Sequence, residues 1–297
     1  MHEVFTPLGS DEPIGVVALS GPVDSEKLDR GLAVLRSWGR EIIEAPNLRQ
    51  NSGYLVGTDT GRIEGLVDLL DRGVRVIWAA RGGYGITRIL DRLPWDRLAD
   101  AGAMVVGYSD VTALLNPLAL RTGVVQVHGP VVTSLAEWDE HDFVRVRDVL
   151  EGHFRGRRLF DLEDRVIVRG GSAGGRALGG NVTLLAALAG TPWAPDFRGS
   201  VVFLEDVNEP LYRLDRLLTQ LRSSGMFEGV KALISGDLWE CESGSDTRWR
   251  QLLLEAAPDG VPVVHGLPFG HGPSNLAFPV GAWVEVDTDG GALNWGM

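Results

Sequence analysis

Met104-Val105-Val106-Gly107-Tyr108-Ser109-Asp110-Val111-Thr112-Ala113-Leu114-Leu115 is the stretch on which the fold turns. A short β-branched run ends in Gly-Tyr-Ser-Asp, and a helical pattern starts at once. This predicts a buried strand feeding a helix, with Ser109 on the sharp turn between them. A helix N-terminus stabilises negative charge, so a serine there suits nucleophilic attack. Serine is also a common N-cap, and capping alone accounts for many serines at this position. The stretch is not the Gly-x-Ser-x-Gly elbow, because Val111 stands where the second glycine would be.

Outward from that turn the same alternation repeats. Ile14–Ser20 reads as a buried strand stopped by Gly21-Pro22. Asp24 or Ser25 then caps a helix with Leu28, Leu32 and Leu35 on one face. Glu41–Ala45 is a second strand, and Thr58-Asp59-Thr60 caps a helix bearing Ile63, Leu66, Leu69 and Leu70. Val74–Ala80 is a third strand, followed by a helix expected from about Tyr84 to Leu93. Val124–Val127 runs into His128-Gly129-Pro130 as a fifth strand. Alternating strands and helices predict an α/β, doubly wound parallel sheet covered on both faces. Sites in such sheets lie beyond the carboxyl ends of the strands, where Arg81–Gly85, Ser109 and His128 fall.

A domain carrying Ser109 is expected over residues 1–150, with a linker at 151–168; the polar stretch from Trp138 to Arg165 reads as the terminal helix and the start of that linker. A second domain is expected over 169–297, opened by the glycine-rich Arg169–Asn181. Val182–Leu188 reads as a helix and Val201–Leu204 as a strand ending at Glu205. Asn208 is the expected cap of the next helix, with Pro210 in its first turn. From Val230 to Trp295 short strands alternate with Gly/Pro turns.

Composition excludes several classes. The 297 residues carry 28 Lys+Arg against 40 Asp+Glu, a formal charge of −12, which argues against a nucleic-acid partner. One cysteine, Cys241, permits no intrachain disulfide. No signal-peptide pattern and no membrane-length apolar run is present, so a cytoplasmic protein without membrane contact is expected. His2, His128, His141, His153, His265 and His271 show no metal-ligand spacing, and no metal or cofactor is expected. Gly82-Gly83-Tyr84-Gly85 lacks the third glycine of a dinucleotide fingerprint, Arg88 taking its place. Those glycines suit either a tight turn or backbone N–H groups presented to an oxyanion. His271, in a Gly/Pro loop, is a candidate base. Glu205 is either functional or half of an ion pair with Arg213 or Arg216.

The motifs Gly57-Thr58-Asp59, Arg81–Gly85, Gly107–Leu115, His128-Gly129-Pro130, Gly179-Gly180-Asn181, Leu204-Glu205-Asp206, Tyr212–Arg216 and Gly270-His271-Gly272 occur in an order that resembles the LD-carboxypeptidases. This is the serine-peptidase family of muramoyltetrapeptide carboxypeptidase and the microcin C self-immunity peptidase. The resemblance implies a C-terminal domain with a small barrel-like sheet and helices, and usually a homodimer. It places the catalytic set on Ser109, Glu205 and His271 and the oxyanion hole on the N–H groups of Gly83 and Asp110. Its implied substrate is a small peptide, a murein tetrapeptide losing terminal D-alanine. Arg81 and Tyr84 are the expected substrate-binding residues, Arg81 as reader of the terminal carboxylate or as a brace for its loop, with Arg176 the alternative cation. Two other functions stand beside this one. The first is a microcin-type immunity peptidase acting on aminoacyl or peptidyl sulfamoyl adenylates, for which 297 residues leave little room for that branch's extra aromatic loop. The second is a non-catalytic module binding small ligands.

Overall fold

A computed structural model describes residues 3–137, 140–163, 166–241 and 245–296. Trp138 and Arg165, the ends of the polar stretch, and His2 lie outside the described residues. The chain begins with β1 (Ile14–Val17), α1 (Ser25–Ser37), β2 (Ile42–Glu44), α2 (Asp59–Asp71) and β3 (Val76–Ala79). It continues through α3 (Trp95–Asp100), β4 (Met104–Gly107), α4 (Thr112–Thr122), β5 (Gln126–His128) and α5 (Glu140–Leu150). Next come β6 (Arg158–Asp161), β7 (Ile167–Arg169), β8 (Ser172–Asn181), α6 (Val182–Leu188), β9 (Ser200–Val207) and α7 (Leu211–Ser223). Last are β10 (Ala232–Trp239), α8 (Ser245–Ala256), β11 (Val263–Leu267), β12 (Phe278–Val280), β13 (Trp283–Asp287) and β14 (Ala292–Trp295).

The first sheet has the order β12-β5-β4-β3-β1-β2, parallel except for β12. Every residue of β1, β3 and β4 is buried, the signature of strands covered on both faces. The caps follow the sequence: Asp24 accepts the Lys27 N–H and Thr58 accepts the Gly61 N–H. Leu28, Leu32 and Leu35 are buried as their spacing requires. Strand order reverses between β1 and β3, which opens a crevice at their carboxyl ends.

The second sheet has the order β6-β14-β13-β8-β9-β10-β11-β7. Its edge strands β6 and β7 do not pair, so the expected small barrel-like sheet is instead an open, mixed, eight-stranded one. The glycine-rich opening of this half is the ten-residue strand β8, flanked by β13 and β9. β6 and most of β7 fall within 151–168, and β12 completes the first sheet from the C-terminal half. Strands therefore run through the stretch expected to be a plain linker.

Two local expectations are corrected. Tyr84–Leu93 is not one helix but two 3₁₀ turns, Ile86–Arg88 and Leu90–Arg92, before α3. Gly85 stands at φ 142°, and Leu93 is held extended by Pro94, so an α-helix can propagate through neither end. Asn208 does not cap α7 either; its φ is 53°, and the chain enters the helix from Pro210.

α4 joins the two sheets through side chains that imitate a strand edge. The buried Asn116 amide donates to the Gly179 carbonyl at 2.9 Å and accepts the Gly179 N–H at 2.7 Å. Thr112 Oγ1 accepts the Asn181 N–H at 3.1 Å. We expect Asn116→Ala to lower stability by about 2–4 kcal/mol, because both polar groups of Gly179 would be left buried and unpaired. Urea unfolding checks this, and a loss below about 0.5 kcal/mol would show that the clamp is dispensable.

Candidate active site

Ser109 stands where β4 gives way to a 3₁₀ turn and then α4. Its φ is 61°, the left-handed region, which costs a non-glycine residue on the order of 1–3 kcal/mol. Among the described residues its hydroxyl caps no helix N–H, so the capping role does not explain it. The surroundings enforce the conformation. The buried Asp110 carboxyl accepts Ser20 Oγ at 2.6 Å and the Ile86 N–H at 3.0 Å. Those bonds tie the ends of β1, β3 and β4 together. Burial pushes the Asp110 carboxyl above the usual carboxylate range, although both donors pull the other way. Gly82 lies over the serine: a Cβ there would fall 2.8 Å from Ser109 Cβ and 3.0 Å from Oγ, and 3.6 Å from the Asp110 nitrogen. Only glycine lets the Gly82-Gly83 backbone come this close.

Glu205 lies inside β9, completely buried, and His271 lies in the loop between β11 and β12. His271 Nδ1 meets Glu205 Oε2 at 2.6 Å, which leaves Nε2 as the other ring nitrogen. Arg213 pairs instead with Glu209 at 2.9 Å, and Arg216 lies over Tyr212, so the alternative of a Glu205–arginine pair is overturned. The loop can sit on the carboxylate because Gly270, at φ 104°, has no Cβ; one would fall 2.7 Å from Glu205 Oε2. Asn275 Oδ1 accepts the Gly270 N–H at 2.9 Å, while Asp142 Oδ1 on α5 accepts Ser274 Oγ at 2.6 Å and the Asn275 N–H at 3.2 Å. The Tyr108 and His271 rings are 4.6 Å apart.

Charge follows from this packing. Burial raises Glu205, but the charge and hydrogen bond of His271 outweigh it and hold the carboxyl below its usual range. Burial lowers His271, yet Glu205 outweighs it and the imidazole rests above its ordinary value. Asp206, next in the strand, is pushed up to about 6 by burial and then by the Glu205 charge. His128, fully buried and stacked on Phe278 at 4.6 Å, is pushed down to about 4 by burial and stays neutral.

A cavity of about 360 Å³ is lined by both Ser109 and His271, together with Tyr108, Gly82 and Gly83. No hydrogen bond joins Ser109 to His271 among the described residues, as is common before substrate tightens such a site. Arg81 lines the cavity while one guanidinium nitrogen donates to the Pro22 carbonyl, so bracing is part of its work. Tyr84 is not on the lining; it is exposed beside Tyr54, the rings 6.0 Å apart. Arg176 lies on β8 opposite Trp283, also off the lining.

Sequence reasoning missed Lys27 and Glu137, which line the same cavity. Lys27 was findable, since the first turn of α1 follows β1 and faces the carboxyl ends of the strands. Glu137, after a 3₁₀ turn, had no such signal. The one described cluster with metal-like spacing, Asp148, Glu151 and His153, lies off the cavity lining. No helix among the described residues is long and apolar enough to cross a membrane.

The sequence matches the LD-carboxypeptidase N-terminal domain over residues 14–129 and the LD-carboxypeptidase C-terminal domain over residues 174–286. A putative carboxypeptidase of Streptomyces coelicolor is 40% identical over 308 positions, covering 99% of this chain and 96% of its own. The murein tetrapeptide carboxypeptidase of Pseudomonas aeruginosa is 32% identical, covering 96% and 95%. The solved structure of the microcin self-immunity protein MccF with glutamyl sulfamoyl guanosine superimposes with a TM-score of 0.89 over 98% of this chain and 97% of its own. At 23% identity that likeness speaks for the fold. The chain belongs to the LD-carboxypeptidase family and is a serine-type peptidase.

Proposed function

We propose that the protein is a carboxypeptidase that hydrolyses the L,D-amide bond of murein tetrapeptides and releases the terminal D-alanine. The observation that carries this reading is the 2.6 Å contact of His271 with a buried carboxylate, at the cavity that also holds the strained Ser109. The named activity of the Pseudomonas aeruginosa relative supports the substrate. In this reading His271 Nε2 takes the Ser109 proton as Oγ attacks the carbonyl carbon. Glu205 fixes the imidazole and stabilises the imidazolium. The N–H groups of Gly83 and Asp110 receive the oxyanion. The imidazolium then protonates the leaving amine, and water activated by the same ring frees the acyl group from Ser109. The reading extends to a cofactor-free cytoplasmic homodimer; light scattering on the purified protein tests the assembly.

Three outcomes follow from these roles. Ser109→Ala should fold and bind peptide, yet lose roughly 10⁴-fold or more in kcat. Near-normal D-alanine release by a folded Ser109→Ala protein would sink the mechanism.

The second outcome is a pH profile. A base must be neutral, and Glu205 holds the His271 imidazolium protonated to higher pH than usual. Activity is therefore lost as pH falls through a value above the ordinary histidine figure of about 6.5. Glu205→Gln removes the cause, so its acid limb should move to lower pH while kcat drops by about 10³- to 10⁴-fold. An unmoved limb would remove Glu205 from this role.

The third concerns the free carboxylate of the substrate. Arg81 spends one donor on Pro22 and faces the cavity beside Gly83. Amidating the peptide terminus should lower kcat/KM by about 2–4 kcal/mol. Equal cleavage of acid and amide would make the enzyme a broader amidase. Strong discrimination that survives Arg81→Lys would assign the reading to another cation.

A further inference from the structure

A second cavity, of about 560 Å³, shares no lining residue with the one that holds Ser109 and His271. Its walls are apolar: Phe154, Leu159, Phe160, Leu267, Pro268 and Leu276. Set among them on α5 is Arg145, only 7% exposed. Its Nε donates to the Ala277 carbonyl at 3.2 Å and its Nη2 to the Leu159 carbonyl. Among the described residues Nη1 makes no hydrogen bond, and no carboxylate lies within ion-pair distance of the guanidinium. Bracing two carbonyls needs donors but no charge, and a buried cation without a counter-charge is costly. The rings of Phe154 and Phe160, 3.8 and 5.1 Å from the guanidinium carbon, offset part of that cost. Burial pulls the group down to about 10, so it stays charged at neutral pH. The other ionisable residues of the lining stand at the mouth: His141, Arg158, Asp161 and Glu163 are exposed, and Arg158 pairs with Asp161 at 2.7 Å.

We propose that this cavity is a binding site for a monocarboxylate with an apolar body, its carboxylate on Arg145 and its body against Leu267, Pro268 and Leu276. The anion accepts from Nη1 and supplies the counter-charge that the described residues withhold. The apolar walls hold the remainder of the ligand. A dianion would bring a second negative charge to a depth where only one cation stands, and acetate would leave the walls unfilled. Pro268 and Leu276 belong to the base of the loop that carries His271, where the Leu276 N–H closes on the Pro268 carbonyl at 2.8 Å. An occupant therefore packs against that base and joins it to α5.

The test is calorimetry on the whole chain with octanoate, phenylpropionate, butyrate and octanol. The better of the two longer acids, which names the body as alkyl or aryl, should bind at least about 10-fold more tightly than butyrate. Octanoate should bind about 10-fold more tightly than octanol, which brings no charge. Arg145→Met should weaken the better acid by about 10-fold or more, whereas Arg158→Gln at the mouth should change it by less than about threefold. Because Arg145→Met also removes two carbonyl bonds, Leu276→Trp provides a second reading: it fills the cavity, leaves those bonds in place, and should abolish binding in a folded protein. Affinity should survive Arg81→Met unchanged. The proposal is overturned if neither longer acid binds, if octanol binds as well as octanoate, or if binding survives both Arg145→Met and Leu276→Trp. Loss of binding in Arg81→Met would assign the acid to the cavity of Ser109 and overturn it as well.

Discussion

A carboxylate buried in the middle of a β-strand is the constraint around which this structure is arranged. Glu205 has no access to water, and a lone charge there would cost several kcal/mol or be lost to protonation. His271 at 2.6 Å prevents both. That contact demands a loop seated on the strand, which is why Gly270 has no room for a Cβ. The loop in turn is tied at both ends to different sheets. It leaves β11 in the second sheet and enters β12, which pairs with β5 in the first. The position of the imidazole is therefore a property of the whole molecule. Asn275 and Asp142 refine it by bonding the loop backbone to α5.

Three of the buried carboxyls, Asp110, Glu205 and Asp206, show how partners decide charge. Asp110 accepts from neutral donors, Ser20 Oγ and the Ile86 N–H among them, and burial raises it. Glu205 has an imidazole and stays low. Asp206 has four good donors, yet burial and the adjacent Glu205 charge still raise it to about 6. Of the three, only Glu205 is held below its ordinary range, and it is the one that touches the imidazole; the Asp206 charge adds a smaller pull that also favours the imidazolium. His128, neutral behind the Phe278 ring, adds no competing positive charge.

The first sheet was legible because its signals are local. Leu28, Leu32 and Leu35 repeat at helical spacing, Thr58 caps where it should, and the buried runs of β1, β3 and β4 are continuous. The meeting of His271 with Glu205 at the cavity that Ser109 lines was legible only through the order of many short motifs, since a serine before a helix and a histidine in a loop are weak signals singly. What escaped depends on distant contacts. The glycine-rich opening of the second domain gives no strand pattern, yet β8 is held as a strand by β9 and β13 and by the Asn116 amide, none of them near in sequence. Closure of the second sheet failed for a similar reason: β6 and β7 each find one partner and never each other. Lys27 and Glu137 are 110 positions apart, and only the packing of the 132–134 turn against α1 brings them to one cavity.

The overall charge of −12 would repel a peptide rich in carboxylates at long range. That repulsion fades beyond a Debye length of about 10 Å at 0.1 M salt, so capture is decided inside the cavity. There two cations and two carboxylates stand together, and the field has no single sign. A cavity built only of arginine and lysine would draw any small anion and hold it through product release. One that sets Glu137 beside Lys27 and Asp24 near Arg81 repays a ligand only when its charges fall in the right places. The acidity of the protein and the cations of its cavity are then two parts of one arrangement: the surface discourages indiscriminate anions, and the cavity sets both signs of charge close together.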